Sequence, residues 1–311
     1  MSQELSSTQK LALAISTCDE VCYAFKDKSH PCHKVSTWQF VKIGKVEKVT
    51  GSAMHRPEAW TGDLKRAKIV VLASNPSFDK KELFPDWSTD WTEENIIDFA
   101  VNRFGSKQRK FGATDGLIIK DADKTIGKDG SLSKKRVKYW KHIRNLVATI
   151  LEKEESQTSA ISDYVMTELV HCKSEKEAGV PKALDRCAQK WFDQIMSISP
   201  ARLILILGGK PARHLAKLYP EIPDDWGRWS DKKSYKGKGH WPRTRADLDQ
   251  LIKKNQWSAE HQLKNSVVVK IAGIDRLVVF LGRPGGGDLC SMTEHPDLVD
   301  PKVLKEWRNF I

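Results

Sequence analysis

An α/β fold built on a mainly parallel sheet, with helices on both faces, is the class this sequence predicts. Three observations carry it. Apolar runs of strand length recur at residues 68–74, 164–170 and 202–207, too uniformly apolar for a sheet with one wet face. Stretches with helical spacing lie between and around them, and each run stops at a polar or glycine-bearing turn. The expectation is a three-layer α/β/α sandwich forming one domain over residues 1–311. No repeat or linker interrupts it, and basic insertions fall at about 105–135 and 220–262.

Residues 8–26 open with helical spacing through Leu11, Leu13, Ile15, Val21 and Phe25, around Cys18 and Cys22. His30-Pro31-Cys32-His33 breaks that pattern, and residues 56–63 read as a loop into the first strand. The strand ends at Ser74-Asn75-Pro76-Ser77. Ligands bind at this edge of open α/β sheets, and Pro76 both lacks a backbone donor and stiffens the residue before it. Thr92 followed by Glu93 and Glu94 caps a helix running to about Phe104, after which a Gly- and Lys-rich loop extends to 132. Residues 133–152 return to helix, with Tyr139, Ile143, Leu146, Val147 and Ile150 on one face. Past the strand at 164–170, Pro181 starts a helix buried through Leu184, Cys187, Ala188, Trp191, Ile195 and Ile198. Gly208-Gly209 ends the strand at 202–207. Strands at 267–271 and 277–281 flank a turn at Gly273, and the second opens into Gly282-Arg283-Pro284-Gly285-Gly286-Gly287. Asp300 caps a last helix begun by Pro301.

Lys and Arg outnumber Asp and Glu by 52 to 40, a formal charge of +12, which favours a polyanionic partner. Eleven Trp accompany that charge, several of them among the lysines at 226–243, and aromatics beside cations suit stacking on unpaired bases. No apolar run approaches the roughly 20 residues of a membrane span, and Met1 to Ser6 lacks the character of a signal peptide. A cytoplasmic monomer is expected, without a membrane partner. Its six cysteines are then core thiols, metal ligands or nucleophiles rather than structural disulfides.

Three strand ends together resemble the uracil-DNA glycosylase superfamily. Ala73-Ser74-Asn75-Pro76-Ser77 is similar to that family's first motif, Glu168-Leu169-Val170-His171-Cys172-Lys173 to the Asn-Val-Val-Lys-Cys-Arg segment of its iron–sulfur branch, and Arg283-Pro284-Gly285 to its second motif. The resemblance spans residues 56–290 in order. It departs at Ala73 for glycine, Arg283 for histidine and Glu168 for the asparagine that reads uracil. It implies a monofunctional DNA glycosylase that flips a base out, hydrolyses its N-glycosidic bond and leaves an abasic site. Asn75 would hold the attacking water, and the turn of Ser74, Pro76 and Ser77 with Arg283, Pro284 and Gly285 would meet the base and the backbone. One of Phe78, Phe84 and Trp87 would stack on the base. Glu168 offers acceptors where asparagine offers a donor and an acceptor, so it leans from uracil towards cytosine. The glycine loop leaves room for a bulky substituent. Some bacterial members of the superfamily remove glucosylated hydroxymethylcytosine in defence against phage, and the chain resembles that group. The iron–sulfur branch further implies a 4Fe-4S cluster on Cys18, Cys22, Cys172 and Cys187, with zinc as the alternative metal and Cys32 as a substitute ligand. Two other readings stand beside this one: a uracil or deaminated-base glycosylase of repair, and a nucleic-acid-binding protein without catalysis.

Overall fold

A computed structural model describes residues 5–40, 55–78, 82–87, 91–104, 108–111, 114–118, 124–127, 131–224, 226, 246, 249–250, 253–254, 259–281, 293 and 296–311, with 108–111, 114–118, 260–261 and 298 described by backbone alone. Six strands form one sheet: β1 (Trp60–Thr61), β2 (Ile69–Ala73), β5 (Tyr164–Glu168), β6 (Leu203–Ile206), β7 (Ser266–Ile271) and β8 (Ile274–Phe280). Their spatial order is β1-β5-β2-β6-β8-β7. β5, β2, β6 and β8 run parallel, and β1 and β7 add antiparallel edges.

Period-two alternation sorts the strand residues between two cores. Ile69 and Val71 of β2 fall in one apolar cluster with Met166, Leu205 and Val279, while Val70 and Leu72 fall in the other with Val165, Ile206 and Phe280. Helices cover both faces, as near-continuous apolar strands require. On one face lie α1 (Ser7–Ser16), α2 (Glu20–Lys26), α3 (His33–Gln39), α6 (Val180–Ile198) and α7 (Gly209–Leu218). On the other lie α5 (Lys138–Leu151) and α9 (Pro301–Arg308), whose Ile143, Val147 and Trp307 are fully buried. α4 (Glu93–Asn102) begins at Thr92, whose hydroxyl accepts from the Asn95 N–H, and packs around Phe84, Trp91 and Phe99. α8 (Ala259–Leu263) leads into β7. Burying each aliphatic side chain of β2 contributes roughly 1.5–3 kcal/mol, so a charge introduced at Val71 would abolish the sheet's centre.

Several sequence expectations are corrected in detail. The pattern at 8–26 splits at Asp19, whose carboxylate caps α2. The helix expected from 133 starts at Lys138, and β5 ends at Glu168, two residues early. The supposed loop before 132 contains a hairpin of β3 (Gln108–Phe111) and β4 (Thr114–Ile118). Trp226, read with the basic insertion, is a core residue stacked on Phe280 at 5.8 Å.

One buried cation joins distant parts of the chain. Arg276 on β8 is fully buried, and its guanidinium donates to the carbonyls of Ile271, Ala201, Met196 and Ser199. Two of these end α6, where intrahelical donors run out.

Candidate functional site

The chain leaves β2 towards β5 and then crosses back over β2 to reach β6, so the sheet's switch point lies at β2. A cavity of about 440 Å³ sits there, at the C-terminal ends of β5, β2 and β6. Ala73 is in register with Glu168, which brings the first polar turn beside the end of β5. The turn is fastened to the next segment by Val170 N–H donating to Ser74 O at 2.9 Å and Ser174 N–H donating to Pro76 O at 3.3 Å. Within it, Asn75 Nδ2 donates to Pro76 O at 2.8 Å, to Ser174 Oγ at 3.0 Å and to Cys172 O at 3.4 Å. With its nitrogen so committed, the Asn75 amide presents its oxygen as the remaining acceptor in the cavity wall.

The cavity floor is a buried charge network that reading the sequence missed. Glu58 accepts from Lys173 and, at 2.6 Å, from Arg103, which also pairs with Glu82. Burial alone would raise the Glu58 pKa, but the Lys173 and Arg103 charges overcome it and hold Glu58 well below the carboxylate range. Burial lowers the Lys173 pKa against the pull of Glu58, and it raises that of Glu82 against the pull of Arg103. Two cations are thus answered by two carboxylates. Glu168 is the odd group: burial first, then the Glu58 charge, push it up to about 8. It is therefore a neutral acid at pH 7, and its buried Oε2 has no hydrogen-bond partner among the described residues.

Aromatic rings supply the walls. Phe84 is buried with Lys173 Nζ 3.2 Å from its ring centre, and Tyr139 and Trp140 enter from the first turn of α5. The rim belongs to Glu177, which accepts from Ser74 Oγ and pairs with Lys210 of α7. Gly208, at φ +90°, ends β6 and turns the chain into α7 beside the cavity, a conformation that a side chain would strain.

The expected residues divide accordingly. Ser74, Asn75, Pro76, Ser77, Phe84 and Glu168 all line the cavity. Phe78 does not, because its ring packs against Trp38 and His55, and Trp87 is held 4.0 Å beneath the Arg56 guanidinium. Arg283, Pro284 and Gly285 lie outside the described residues, as does most of the Trp-bearing insertion.

Behind the cavity, Cys18, Cys32, Cys172 and Cys187 line one small void of about 20 Å³ walled mostly by Val21, Val35, Val170, Ala183 and Trp191, with Glu20 and Lys190 also in its lining. Cys22, of the expected ligands, is exposed and does not line the void, whereas Cys32 does. Gly179 permits that arrangement: at φ +86°, a Cβ there would stand 2.7 Å from Lys34 Cβ, so only glycine lets α3 rest on the start of α6. Burial raises all four thiols, Cys32 to about 11 and Cys187 to about 12. The donor chemistry fits a soft metal, but the void has room for about one ion and a cluster requires the thiols to move outward. Among the described residues no three His, Cys, Asp or Glu side chains are disposed to hold a metal as they stand. No described helix is long and apolar enough to cross a membrane. Neither a protein-family model nor a curated protein matches the chain.

Proposed function

We propose that the chain is a DNA glycosylase that hydrolyses the N-glycosidic bond of a flipped, modified cytosine. The observation that supports it best is the pairing of opposite chemistries at two neighbouring strand ends. Asn75 has its amide nitrogen tied and its oxygen free to orient a water, and Glu168 is an uncharged acid with an unpartnered oxygen. A neutral carboxyl can pair with uracil as well as with cytosine, so recognition alone does not separate the two. The leaving group does. A departing cytosine is a poorer anion than uracil and needs a proton delivered to its ring, which Glu168 can supply. Tyr139 or Trp140 would stack on the base, Phe84 being covered by Lys173, and about 440 Å³ leaves room for a ring substituent such as a sugar. The +12 charge supports a DNA partner. The void of Cys18, Cys32, Cys172 and Cys187 would take zinc or an iron–sulfur cluster only with the thiols moved outward from where they stand.

Single-turnover base release is the test, on matched oligonucleotides carrying uracil, cytosine, hydroxymethylcytosine and its glucosylated form. Release of a cytosine-type base should fall above pH 8 as Glu168 ionises, and Asn75→Ala should lose roughly a hundred- to a thousandfold while keeping DNA affinity. Efficient release of uracil with every cytosine ignored would hand the site to a repair enzyme. DNA binding without release of any base would leave a non-catalytic binding protein.

A further inference from the structure

Resting on the glycosylase reading, we propose that Glu177, acting through the Ser74 hydroxyl, accepts the proton of the attacking water. Hydrolysis forms a bond from the water oxygen to C1′ and breaks the bond from C1′ to the base, whose electron pair leaves with the base. Two protons must then move: one onto the departing base and one off the water. Asn75 can orient that water but cannot take its proton, because an amide oxygen is too weak a base.

Of the carboxyl groups lining the cavity, Glu58 and Glu82 are locked to Lys173 and Arg103 in its floor, and Glu168 already carries a proton. Glu177 remains. It stands at the rim with one oxygen receiving the Ser74 hydroxyl, and Ser74 is the residue next to Asn75. A water held by Asn75 could pass its proton to Ser74 Oγ as Ser74 passes its own to Glu177. Glu168 meanwhile gives its proton to the base, and solvent resets both carboxyls after release.

The backbone points the same way. Lys176 and Glu177 both adopt left-handed conformations, at φ 51° and 58°, without being glycine. Two successive residues held there are strained, and strain of this kind gathers where a side chain must be aimed. Among the described residues, Glu177 meets Ser74 from the β2 turn and Lys210 from α7, and Glu175 and Lys176 lie on its own segment. Lys173, Arg103, Glu58, Glu82, Glu168 and Tyr139 share the cavity. Lys210 sets its ammonium against that carboxylate.

Single-turnover release by wild type, Asn75→Ala, Glu177→Gln, Glu177→Ala and Lys210→Met, each measured across pH with DNA affinity alongside, tests the idea. Glu177→Gln keeps the acceptor for Ser74. It should nonetheless slow release roughly a hundred- to a thousandfold, abolish the acid limb of the profile and leave affinity unchanged. Added formate should restore part of the rate in Glu177→Ala, and Lys210→Met should move the acid limb to higher pH. Glu177→Gln within about threefold of wild type, with its acid limb intact, would overturn the proposal while wild-type release still upheld the glycosylase reading. If Glu177→Gln does not fold, an acid limb that stays put in Lys210→Met overturns it equally. A wild type that releases no base removes both.

Discussion

Cys172 and Lys173 are neighbours in the chain, yet one faces a small, mostly apolar void and the other a charged cavity. The two regions solve the burial of ionisable groups in opposite ways. In the cavity, Glu58, Glu82, Lys173 and Arg103 neutralise one another, and Glu168 stays neutral by keeping its proton. At the void's edge Lys190 Nζ lies 3.9 Å from Cys18 Sγ and pulls that thiol's pKa down, but burial outweighs it. All four therefore stay protonated. The cavity is electrostatically complete without any added group, whereas the void becomes favourable for thiolates only when a metal supplies positive charge. A ligand entering the cavity meets one unspent proton; a metal entering the void must displace several.

The largest effect should come from breaking the cavity's balance. Glu58→Ala leaves Lys173 and Arg103 short of a carboxylate in the protein interior, and unfolding by urea should show a loss of about 3–5 kcal/mol. A loss below about 1 kcal/mol would mean that the network is hydrated rather than dry. Next comes the metal. Protein purified without oxygen should carry iron or zinc that is lost in Cys32→Ala and retained in Cys22→Ala, measured by elemental analysis and absorbance. Equal retention in both variants would dissolve the contrast between the two regions.

The smallest effect concerns the proton on Glu168. Its folded pKa lies above the ordinary value of 4.5, so the folded state binds more protons between about pH 4.5 and 8. Stability conferred by the neutral acid is intact below that window and lost progressively as pH rises through it. Glu168→Gln removes the titration, so melting temperature should be flatter across the window and higher than wild type at its upper end. An unchanged slope would place the proton elsewhere.

The sheet was legible because strand runs such as Ile69 to Leu72 are apolar on both faces, which only a covered parallel strand requires. Asn75 was singled out because it stands where such a run ends, whereas Glu168, inside the strand expected to reach 170, was singled out only by the family resemblance. The cavity floor was not. Arg103 and Lys173 look like any solvated cations in sequence, and their burial depends on Glu58 and Glu82 arriving from segments tens of residues away. Tyr139 was read as one more member of the α5 core stripe, although the first turn of α5 overhangs the cavity. Cys22 was expected as a ligand from the resemblance to the iron–sulfur branch. The cap at Asp19 starts a new helix, and Cys22 on it is exposed while Cys32 lines the void.

The Arg276 guanidinium has a consequence for the order in which the chain can finish folding. It satisfies carbonyls at the end of α6 and in the loop to β6, about 75–80 residues earlier in the chain. During synthesis those carbonyls have no protein donor until β8 has emerged and paired with β6. The far end of the longest crossover helix is thus completed late, by a residue from the opposite end of the sequence. The β7–β8 hairpin cannot peel from the sheet without unfastening that helix, so hydrogen exchange at Met196, Ser199 and Ala201 should follow that of β8 as one opening unit.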